Sequence, residues 1–417
     1  MITELCDRFA IGGRVRDVAV AAYARVASLE YPAQALAHDK ILHAFEAEGL
    51  SESDFAASTG YGYDDPARER YESLLARVLG AERALARLSI VSGTHAIVAA
   101  LAAVTPPGNT IVSVTGAPYD TLRNALRDAP DSLQSHGVAY EEIALQRDGA
   151  VDLAAVARAF KANPSATAFV QRSRGYAPRP SLGIAQCEAI CSAISRVAPR
   201  APILVDNCYG ELVEGREPCD AGAHLVMGST IKNLGGSIAP TGGYVAGRAD
   251  LVERVAARLY APGLGAALGP TLGYGRAFIQ GLWMAPLVIG ECLRGLDFLA
   301  ALFQELGFAV DPAPGETRTD IIQAIALGSA DVLERFAAGL QSAMPVNARF
   351  RPVPGAVPGY RDPVVMSSGA FVSGATIELS CDAPLRAPYY VYVQGGVTRR
   401  HAYLGALRAA VAVRASA

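Results

Sequence analysis

Short apolar segments alternate with longer amphipathic segments along the first two thirds of the chain. The apolar segments cover residues 110–114, 166–170, 202–206, 225–228 and 242–246. In the longer segments, at 68–79, 93–103, 186–197 and 249–259, apolar residues recur every three or four positions, as on one face of a helix. The gaps between the strands are too long for hairpins and fit crossover helices. The pattern therefore predicts an α/β fold with a mainly parallel sheet between layers of helices.

The remaining segments predict the parts that flank this sheet. Residues 1–55 are expected to form an N-terminal arm of helices, and residues 56–285 the large domain. A long helical stretch at about 272–306 leads into residues 286–417, whose helices and strands predict a smaller C-terminal α+β domain. The Pro- and Gly-rich segment 352–363 is expected to be an irregular loop.

The composition excludes several classes of partner. Of the 417 residues, 51% are hydrophobic and 18% charged, and the formal net charge is −3. Because no basic tract is present, nucleic acid is not expected as a partner. The longest apolar runs, such as 97–104, are too short to cross a bilayer, so no membrane partner is expected. The first ten residues contain Glu4 and Asp7 and lack the features of a secretory signal, which favours a cytoplasmic protein.

The cysteines give no sign of a metal site. The chain has seven, and the two closest, Cys187 and Cys191, have a spacing that suits neighbouring turns of one helix. We expect this pair to be small packed residues. Neither a CxxC pair nor an HExxH motif occurs, so no metal is expected.

Lys232 lies in a segment that is otherwise apolar and rich in glycine, 227–236, shortly after the predicted strand that ends at Asp206. Burial lowers the proton affinity of an amine, and a neutral amine can form a Schiff base with an aldehyde. Asp206, at the carboxyl end of a strand, is placed to pair with a pyridinium nitrogen, although it would also suit a helix cap. Together, the two residues predict an enzyme that uses pyridoxal 5′-phosphate (PLP).

A phosphate site is predicted at the start of the helix at 93–103. Gly93 lets the backbone approach an anion, and the free amides of a first helical turn can bind it. A serine or threonine at a helix start is also an ordinary cap. The candidate phosphate ligands are Ser92, Gly93, Thr94, His95, Ser229 and Thr230.

Aromatic residues supply two further predictions. Tyr119, after the predicted strand at 110–114, could stack on the cofactor ring and act as an acid or base, but His95 competes for the stacking position. The residues alone leave this choice open. Tyr61 and Tyr63 form an aromatic pair in a polar loop, and such a pair favours a subunit interface.

These motifs together resemble the methionine γ-lyase-like family, whose members are also described as aluminium-resistance proteins. The resemblance covers about residues 55–396. This family is similar to the cystathionine and methionine lyases, which share the aspartate aminotransferase-like fold (PLP fold type I) and assemble as dimers of dimers. The resemblance therefore implies a homodimer or homotetramer with sites shared between subunits. The segments that carry it are Tyr61-Gly-Tyr63, Ser92-Gly-Thr-His95, Pro118-Tyr-Asp-Thr121, Gln171-Arg-Ser-Arg-Gly175, Val205-Asp-Asn-Cys-Tyr-Gly-Glu211, Lys232-Asn-Leu-Gly-Gly236, Gly374-Ala-Thr-Ile-Glu-Leu-Ser380 and Tyr392-Val-Gln-Gly-Gly396.

The resemblance implies a role for each matching residue. Lys232 would carry PLP as a Schiff base, Asp206 would pair with its ring nitrogen, and Tyr119 would lie over the ring. Gly93 and Thr94, with Ser229 or Thr230, would hold the phosphate. Tyr63 would reach that phosphate from a neighbouring subunit, at a position where the lyases usually carry an arginine. The candidates for binding the substrate carboxylate, which needs a cation, are Arg172, Arg174 and Arg386.

The leading functional prediction is a PLP-dependent β- or γ-elimination lyase that acts on an amino acid, with a carbon–sulfur bond as the expected target. Lys232 and Tyr119 would move the protons. One alternative is γ-elimination of a halide from a γ-halogenated unsaturated amino acid. Alternatives of other classes are an aminotransferase or decarboxylase on the same scaffold and a non-catalytic stress-resistance protein.

Overall fold

The structure is a computed structural model that describes residues 1–414. The chain divides into two compact units: Ala35–Ala285 form one, and Met1–Gln34 with the residues from Pro286 onward form the other. The division predicted from the sequence, into an arm, a large domain and a small domain, stays a prediction, because compactness does not show that each part folds on its own. In the described residues, no helix has both the length and the apolar character needed to span a membrane.

The unit at Ala35–Ala285 is built on a seven-stranded sheet in the order β1-β7-β6-β5-β4-β2-β3. Strands β2 to β6 are parallel to one another, whereas β7 runs antiparallel to both β1 and β6. The mainly parallel sheet is therefore confirmed. The strands are β1 (Arg83–Arg87), β2 (Thr110–Ser113), β3 (Ala139–Glu142), β4 (Thr167–Gln171), β5 (Ile203–Asp206), β6 (Leu225–Ser229) and β7 (Gly243–Gly247).

The five strands predicted from apolar runs are all present, each within one residue of its expected ends. Their side chains are buried along the whole strand because helices cover both faces of the sheet. Strands β1 and β3 were not predicted. They lie at the two edges of the sheet, and their sequences, Arg-Ala-Leu-Ala-Arg and Ala-Tyr-Glu-Glu, lack the apolar run that a central strand needs.

Both units contain helices. The four predicted helices are present as α4, α5, α8 and α9, and the long predicted stretch is α10. The helices are α1 (Ile2–Arg8), α2 (Gly13–Val26), α3 (Pro32–Glu48), α4 (Pro66–Val78), α5 (Gly93–Val104), α6 (Asp120–Arg123), α7 (Leu153–Ala162), α8 (Ile184–Val197), α9 (Ala249–Leu259), α10 (Gly275–Glu305), α11 (Ala330–Gln341) and α12 (Arg399–Arg414).

The other unit contains a five-stranded antiparallel sheet in the order β10-β11-β12-β9-β8, which confirms the predicted α+β character of the C-terminal part. Its strands are β8 (Ala309–Asp311), β9 (Ile322–Ala326), β10 (Val364–Ser368), β11 (Ser380–Pro384) and β12 (Tyr390–Gln394). As expected, residues 352–363 form no helix or strand. A buried ion pair between Arg318 and Asp297, 2.9 Å apart, lies in this unit.

Candidate active site

The carboxyl ends of the parallel strands bring the predicted chemistry to one edge of the large sheet. In register, Asp206 at the end of β5 lies between Gln171 of β4 and Met227 of β6. β6 ends at Ser229, and the chain then makes a short 3-10 turn at Asn233–Gly235 directly after Lys232. Because parallel strands end on the same side, Lys232 and Asp206 meet at this edge although 25 residues separate them in the sequence.

The Lys232 amine faces an aromatic ring and several acidic groups. Its Nζ lies 3.9 Å from the centre of the Tyr209 ring, a distance at which a cation is attracted to the ring face. It also interacts electrostatically with Asp206, Cys208 and Tyr119. Lys232 and Asp206 form no direct salt bridge in the described structure. Their side chains are still close enough for their opposite charges to attract each other.

The charge state of Lys232 differs from the sequence-based expectation. Burial by itself lowers the pKa of the amine, but the acidic groups around it, Cys208, Tyr209 and Asp206, outweigh burial and raise the pKa of Lys232 well above its usual value. Without a cofactor the amine is therefore an ammonium ion at neutral pH. The prediction of a lowered proton affinity was wrong because the sequence did not show how many acidic groups converge on this side chain.

Asp206 is almost completely buried at the end of β5. Its Oδ1 accepts a hydrogen bond of 3.1 Å from the backbone amide of Cys208. Burial raises the pKa of the Asp206 carboxyl, while the charge of Lys232 and the Cys208 amide oppose that shift. The Cys208 amide and the nearby Lys232 ammonium ion therefore stabilise the buried Asp206 carboxylate, whose charge would be costly in isolation.

The predicted phosphate residues form the start of α5. Ser92 caps the helix, with its side chain accepting a hydrogen bond of 3.1 Å from the His95 amide. Gly93 is buried, and a Cβ at this position would lie 3.3 Å from Cys208 Sγ and 3.4 Å from the Cβ of Ser229. The helix start and the end of β6 therefore leave little room for a side chain at Gly93, which favours glycine there.

The hydroxyl groups near Lys232 have protein partners. Ser229 Oγ donates to the Gly242 carbonyl at 3.4 Å, and Thr230 Oγ1 donates to the Thr241 carbonyl at 2.7 Å. The first contact is long and weak, so the Ser229 hydroxyl can be redirected to another acceptor at little cost, whereas that of Thr230 cannot.

Tyr119 and His95, the two candidates for ring stacking, differ in what they contact. The Tyr119 hydroxyl lies 2.8 Å from Thr94 Oγ1, and its backbone amide donates to Gln171 Oε1 at 3.0 Å. Burial raises the pKa of Tyr119 well above its usual value, and the nearby charge of Asp206 adds to the effect. The His95 ring instead accepts a hydrogen bond of 3.3 Å from the Val91 amide through Nδ1.

The loop with Tyr61 and Tyr63 is held firmly while its aromatic rings are exposed. Tyr61 is 72% and Tyr63 58% exposed, and their ring centres lie 5.8 Å apart. Buried Asp65 accepts hydrogen bonds from the Arg68 amide at 2.9 Å and the Thr271 amide at 2.6 Å. A rigid loop that exposes two large rings has the character expected of an interface.

The three predicted substrate-binding arginines lie in different environments. The guanidinium of Arg172 is 1% exposed and bonds to Glu214 Oε2 at 2.6 Å, to the Asn207 side chain and to the Leu182 carbonyl. Arg174 is also buried. Arg386 belongs to the other unit, where it lies 3.6 Å from Asp362.

Three polar residues around Lys232 were not predicted as site residues. They are Tyr209 and Glu211, which follow β5, and Asn233, which follows the lysine. The Asn233 side-chain amide donates to the Tyr209 carbonyl at 2.9 Å and the Glu211 carbonyl at 2.8 Å. Their nearness to Asp206 and Lys232 in the sequence was the available signal, but it did not show which side chains turn inward.

Comparison with known proteins identifies the class to which this site belongs. The structure resembles the PLP-dependent protein YhfS of Escherichia coli with a TM-score of 0.63 over 91% of this chain and 96% of that one, and at 20% identity this likeness shows the fold. The fold is therefore that of the PLP-dependent enzymes of fold type I. The sequence model of the methionine gamma-lyase family matches residues 18–414, so the chain belongs to this family and is a lyase.

Similar proteins are found in several bacteria. The protein YnbB of Bacillus subtilis (strain 168) is 41% identical over 367 residues, which are 87% of this chain and 87% of YnbB. A Clostridium acetobutylicum protein, provisionally described as a cystathionine beta-lyase involved in aluminium resistance, is 40% identical and superposes with a TM-score of 0.94 over 98% of this chain and 97% of its own. A carbon-sulfur lyase involved in aluminium resistance, from Clostridium novyi NT, is 38% identical with a TM-score of 0.92 over the same shares.

Proposed function

We propose that this lyase uses PLP bound to Lys232 to eliminate a substituent from Cβ or Cγ of an amino acid, with a carbon–sulfur bond as the preferred target. The observation that carries the proposal is the buried pair at the sheet edge, in which the Lys232 ammonium and the Asp206 carboxylate attract each other without a direct salt bridge. The likeness to a carbon-sulfur lyase of Clostridium novyi NT supports the choice of bond.

The residues at this edge fit PLP in charge and in arrangement. The aldehyde and the ring nitrogen of PLP lie at opposite ends of the ring, so an amine and a carboxylate that serve them must be near but not in contact. The amine of Lys232 would hold the aldehyde end, and Asp206 would hold the protonated nitrogen. The start of α5 at Gly93 and Thr94, with Ser229, would hold the phosphate.

When bound, PLP supplies an electron sink that stabilises negative charge at Cα of the substrate. The protein residues supply the proton transfers. Lys232 must be neutral to accept the Cα proton. A second cation beside Asp206 would lower the proton affinity of Lys232, because the Asp206 carboxylate would then interact with that cation as well. Tyr119, whose pKa is raised, keeps its proton at neutral pH, and its hydroxyl is the candidate proton donor to the leaving group.

We propose Tyr119 rather than His95 as the residue that lies over the ring. Tyr119 interacts electrostatically with both Lys232 and Asp206, whereas the His95 ring accepts its hydrogen bond from the Val91 amide, before the start of α5. For the substrate carboxylate we keep Arg174 and Arg386 as candidates. Arg172 is a poorer one because Glu214, Asn207 and the Leu182 carbonyl already use its donors.

The exposed pair Tyr61 and Tyr63 supports a shared site in a homodimer or homotetramer, in which Tyr63 reaches the phosphate of a neighbouring subunit. The observation behind this proposal is the firmly held loop with two exposed rings. Sedimentation of the purified protein would measure the assembly, and a monomer that retains full activity would contradict the shared site.

The attachment to Lys232 can be tested directly because the chain contains three lysines, Lys40, Lys161 and Lys232. Borohydride reduction of the purified protein followed by peptide mapping should place the cofactor on Lys232. Lys232→Ala should lose the label and the turnover while keeping its circular dichroism spectrum, and Lys161→Ala, at an exposed helix position, is the matched control. A label on another lysine, or none at all, would contradict the proposal.

The leaving group requires a substrate panel. Cysteine, homocysteine, methionine, cystathionine and γ-halo amino acids should be compared for release of ammonia, keto acid, thiol and halide. Thiol release supports the proposal, and halide release from an unsaturated γ-halo amino acid would favour the alternative elimination. Net transfer of the amino group to an added keto acid would instead favour an aminotransferase.

A further inference from the structure

Tyr209, which the proposed reaction does not use, is held in an unusual backbone conformation directly beside the lysine. Its φ is +73°, in the left-handed region that residues other than glycine seldom adopt. Its ring centre lies 3.9 Å from Lys232 Nζ. A tyrosine keeps such a backbone only where surrounding contacts impose it, and such positions concentrate at functional sites.

Contacts on both sides impose this turn. The side chain of Asn233, the residue after Lys232, donates to the Tyr209 carbonyl at 2.9 Å. This hydrogen bond joins the segment that carries Lys232 to the one that carries Tyr209. On the other side, a Cβ at Gly210 would lie 2.5 Å from Arg172 Nη1. Glycine at this position therefore lets the buried Arg172 guanidinium pack against the residue that follows Tyr209, which gives Arg172 a structural role in this turn.

We propose that Tyr209 is a positioning residue that holds the charged amine of Lys232 over the face of its ring. An ammonium ion on a flexible four-carbon side chain has many rotamers, and an aromatic face selects those that keep it in the site. The strained turn and its tie to Asn233 place the ring under the amine before any ligand is present. This inference deepens the proposed function and rests on it, since positioning matters for the reaction only if Lys232 carries the proton.

The ring contributes separately from the charges around Lys232. A neutral aromatic face attracts a cation through its quadrupole and needs no ionised hydroxyl, so phenylalanine would serve equally well at neutral pH. The titratable groups that face Lys232 are Asp206, Cys208, Tyr209, Tyr119 and Glu211. A test must therefore change the ring and leave these other groups in place.

The test follows the three lysines by NMR in full-length protein labelled with 13C at the lysine ε carbon, after removal of the cofactor. Lys40→Arg and Lys161→Arg variants assign the signals. In Tyr209→Leu, which removes the aromatic face, Lys232 should lose its proton about one pH unit lower than in the wild type, a roughly tenfold change in proton affinity. Tyr209→Phe, the matched control, keeps the ring and removes only the hydroxyl, so its shift should be smaller than that of Tyr209→Leu. Tyr209→Asn removes the ring while suiting the left-handed backbone, so it keeps the test valid if the leucine variant does not fold.

Unchanged titration of Lys232 in both ring-free variants would overturn the proposal, and so would a shift as large in Tyr209→Phe as in Tyr209→Leu. In the enzyme as purified, the ring-free variants should also move the limb of the pH–rate profile that reports Lys232, with a smaller change in Tyr209→Phe. Failure of the proposed function is distinguishable, because borohydride labelling would then miss Lys232 while the NMR titration would still report on the ring.

Discussion

Glu211 offers a quantitative test of the electrostatics behind the active site. It is fully buried, and its Oε1 accepts a hydrogen bond of 2.9 Å from the Tyr244 hydroxyl. Burial raises the pKa of Glu211 from 4.5 to about 8, against the opposing effects of Tyr244 and Lys232. The carboxyl is therefore mostly protonated at neutral pH in the folded protein and ionised in the unfolded chain.

The sign of the pH dependence follows from this difference. Between pH 4.5 and about 8 the folded state binds the proton that the unfolded state has released, so Glu211 makes the protein less stable as pH rises. At 1.36 kcal/mol per pKa unit, ionising the unfolded side chain makes folding less favourable by about 3 kcal/mol at pH 7. Glu211→Gln removes this linkage and keeps an acceptor for Tyr244.

The assay is urea unfolding of the wild type and Glu211→Gln at pH 5, 6, 7 and 8. The difference in free energy of unfolding, variant minus wild type, should increase by about 3 kcal/mol from pH 5 to pH 8. Glu141→Gln, at an exposed carboxylate on β3, is the matched control and should run parallel to the wild type. Parallel curves for Glu211→Gln as well would refute the reasoning that burial keeps this carboxyl protonated.

Three further predictions test other parts of the large unit. Asp206→Asn should lower turnover by at least about a hundredfold, measured as keto acid release, because it removes a buried charge from the site, while the PLP content of the purified protein should change little. Asp65→Ala should lower the free energy of unfolding by about 2–3 kcal/mol in urea, because it removes the cap of α4 and the acceptor of the Thr271 amide, whereas the exposed neighbour variant Asp64→Ala should not. Tyr63→Phe should weaken PLP retention in dialysis if the hydroxyl reaches a neighbouring phosphate, and Tyr61→Phe is its comparison; equal retention in wild type and Tyr63→Phe would argue against that contact.

The central strands of the large sheet were predictable because burial on both faces demands apolar residues at successive positions. The runs at 110–114 and 225–228 carry that signal without ambiguity, and both became strands. Strand β3 carries Tyr140, Glu141 and Glu142 and is partly exposed, so its composition did not distinguish it from a loop. The antiparallel direction of β7 could not be predicted from the sequence either, since strand direction depends on how the connecting chain crosses the sheet.

Some residues of the candidate site could likewise be recognised from the sequence, and others could not. The motifs around Asp206 and Lys232 and the glycine at the start of α5 were recognisable because strand ends and helix starts follow local rules. The arginines were not, because a guanidinium binds whichever acceptor folding brings to it: Arg172 follows β4 directly but is bonded to Glu214.

The amino-acid sequence by itself determined the sheet-and-helix architecture, the family, and the lysine and aspartate on which the proposed chemistry depends, because each rests on local periodicity or on a contiguous motif. Only the tertiary structure decided the charge of Lys232, the inward direction of Tyr209 and Glu211, and the structural use of Arg172. These properties depend on groups that are distant in the chain and meet in one buried volume. Water is excluded there, so interactions with neighbouring charges and rings are stronger than at the surface.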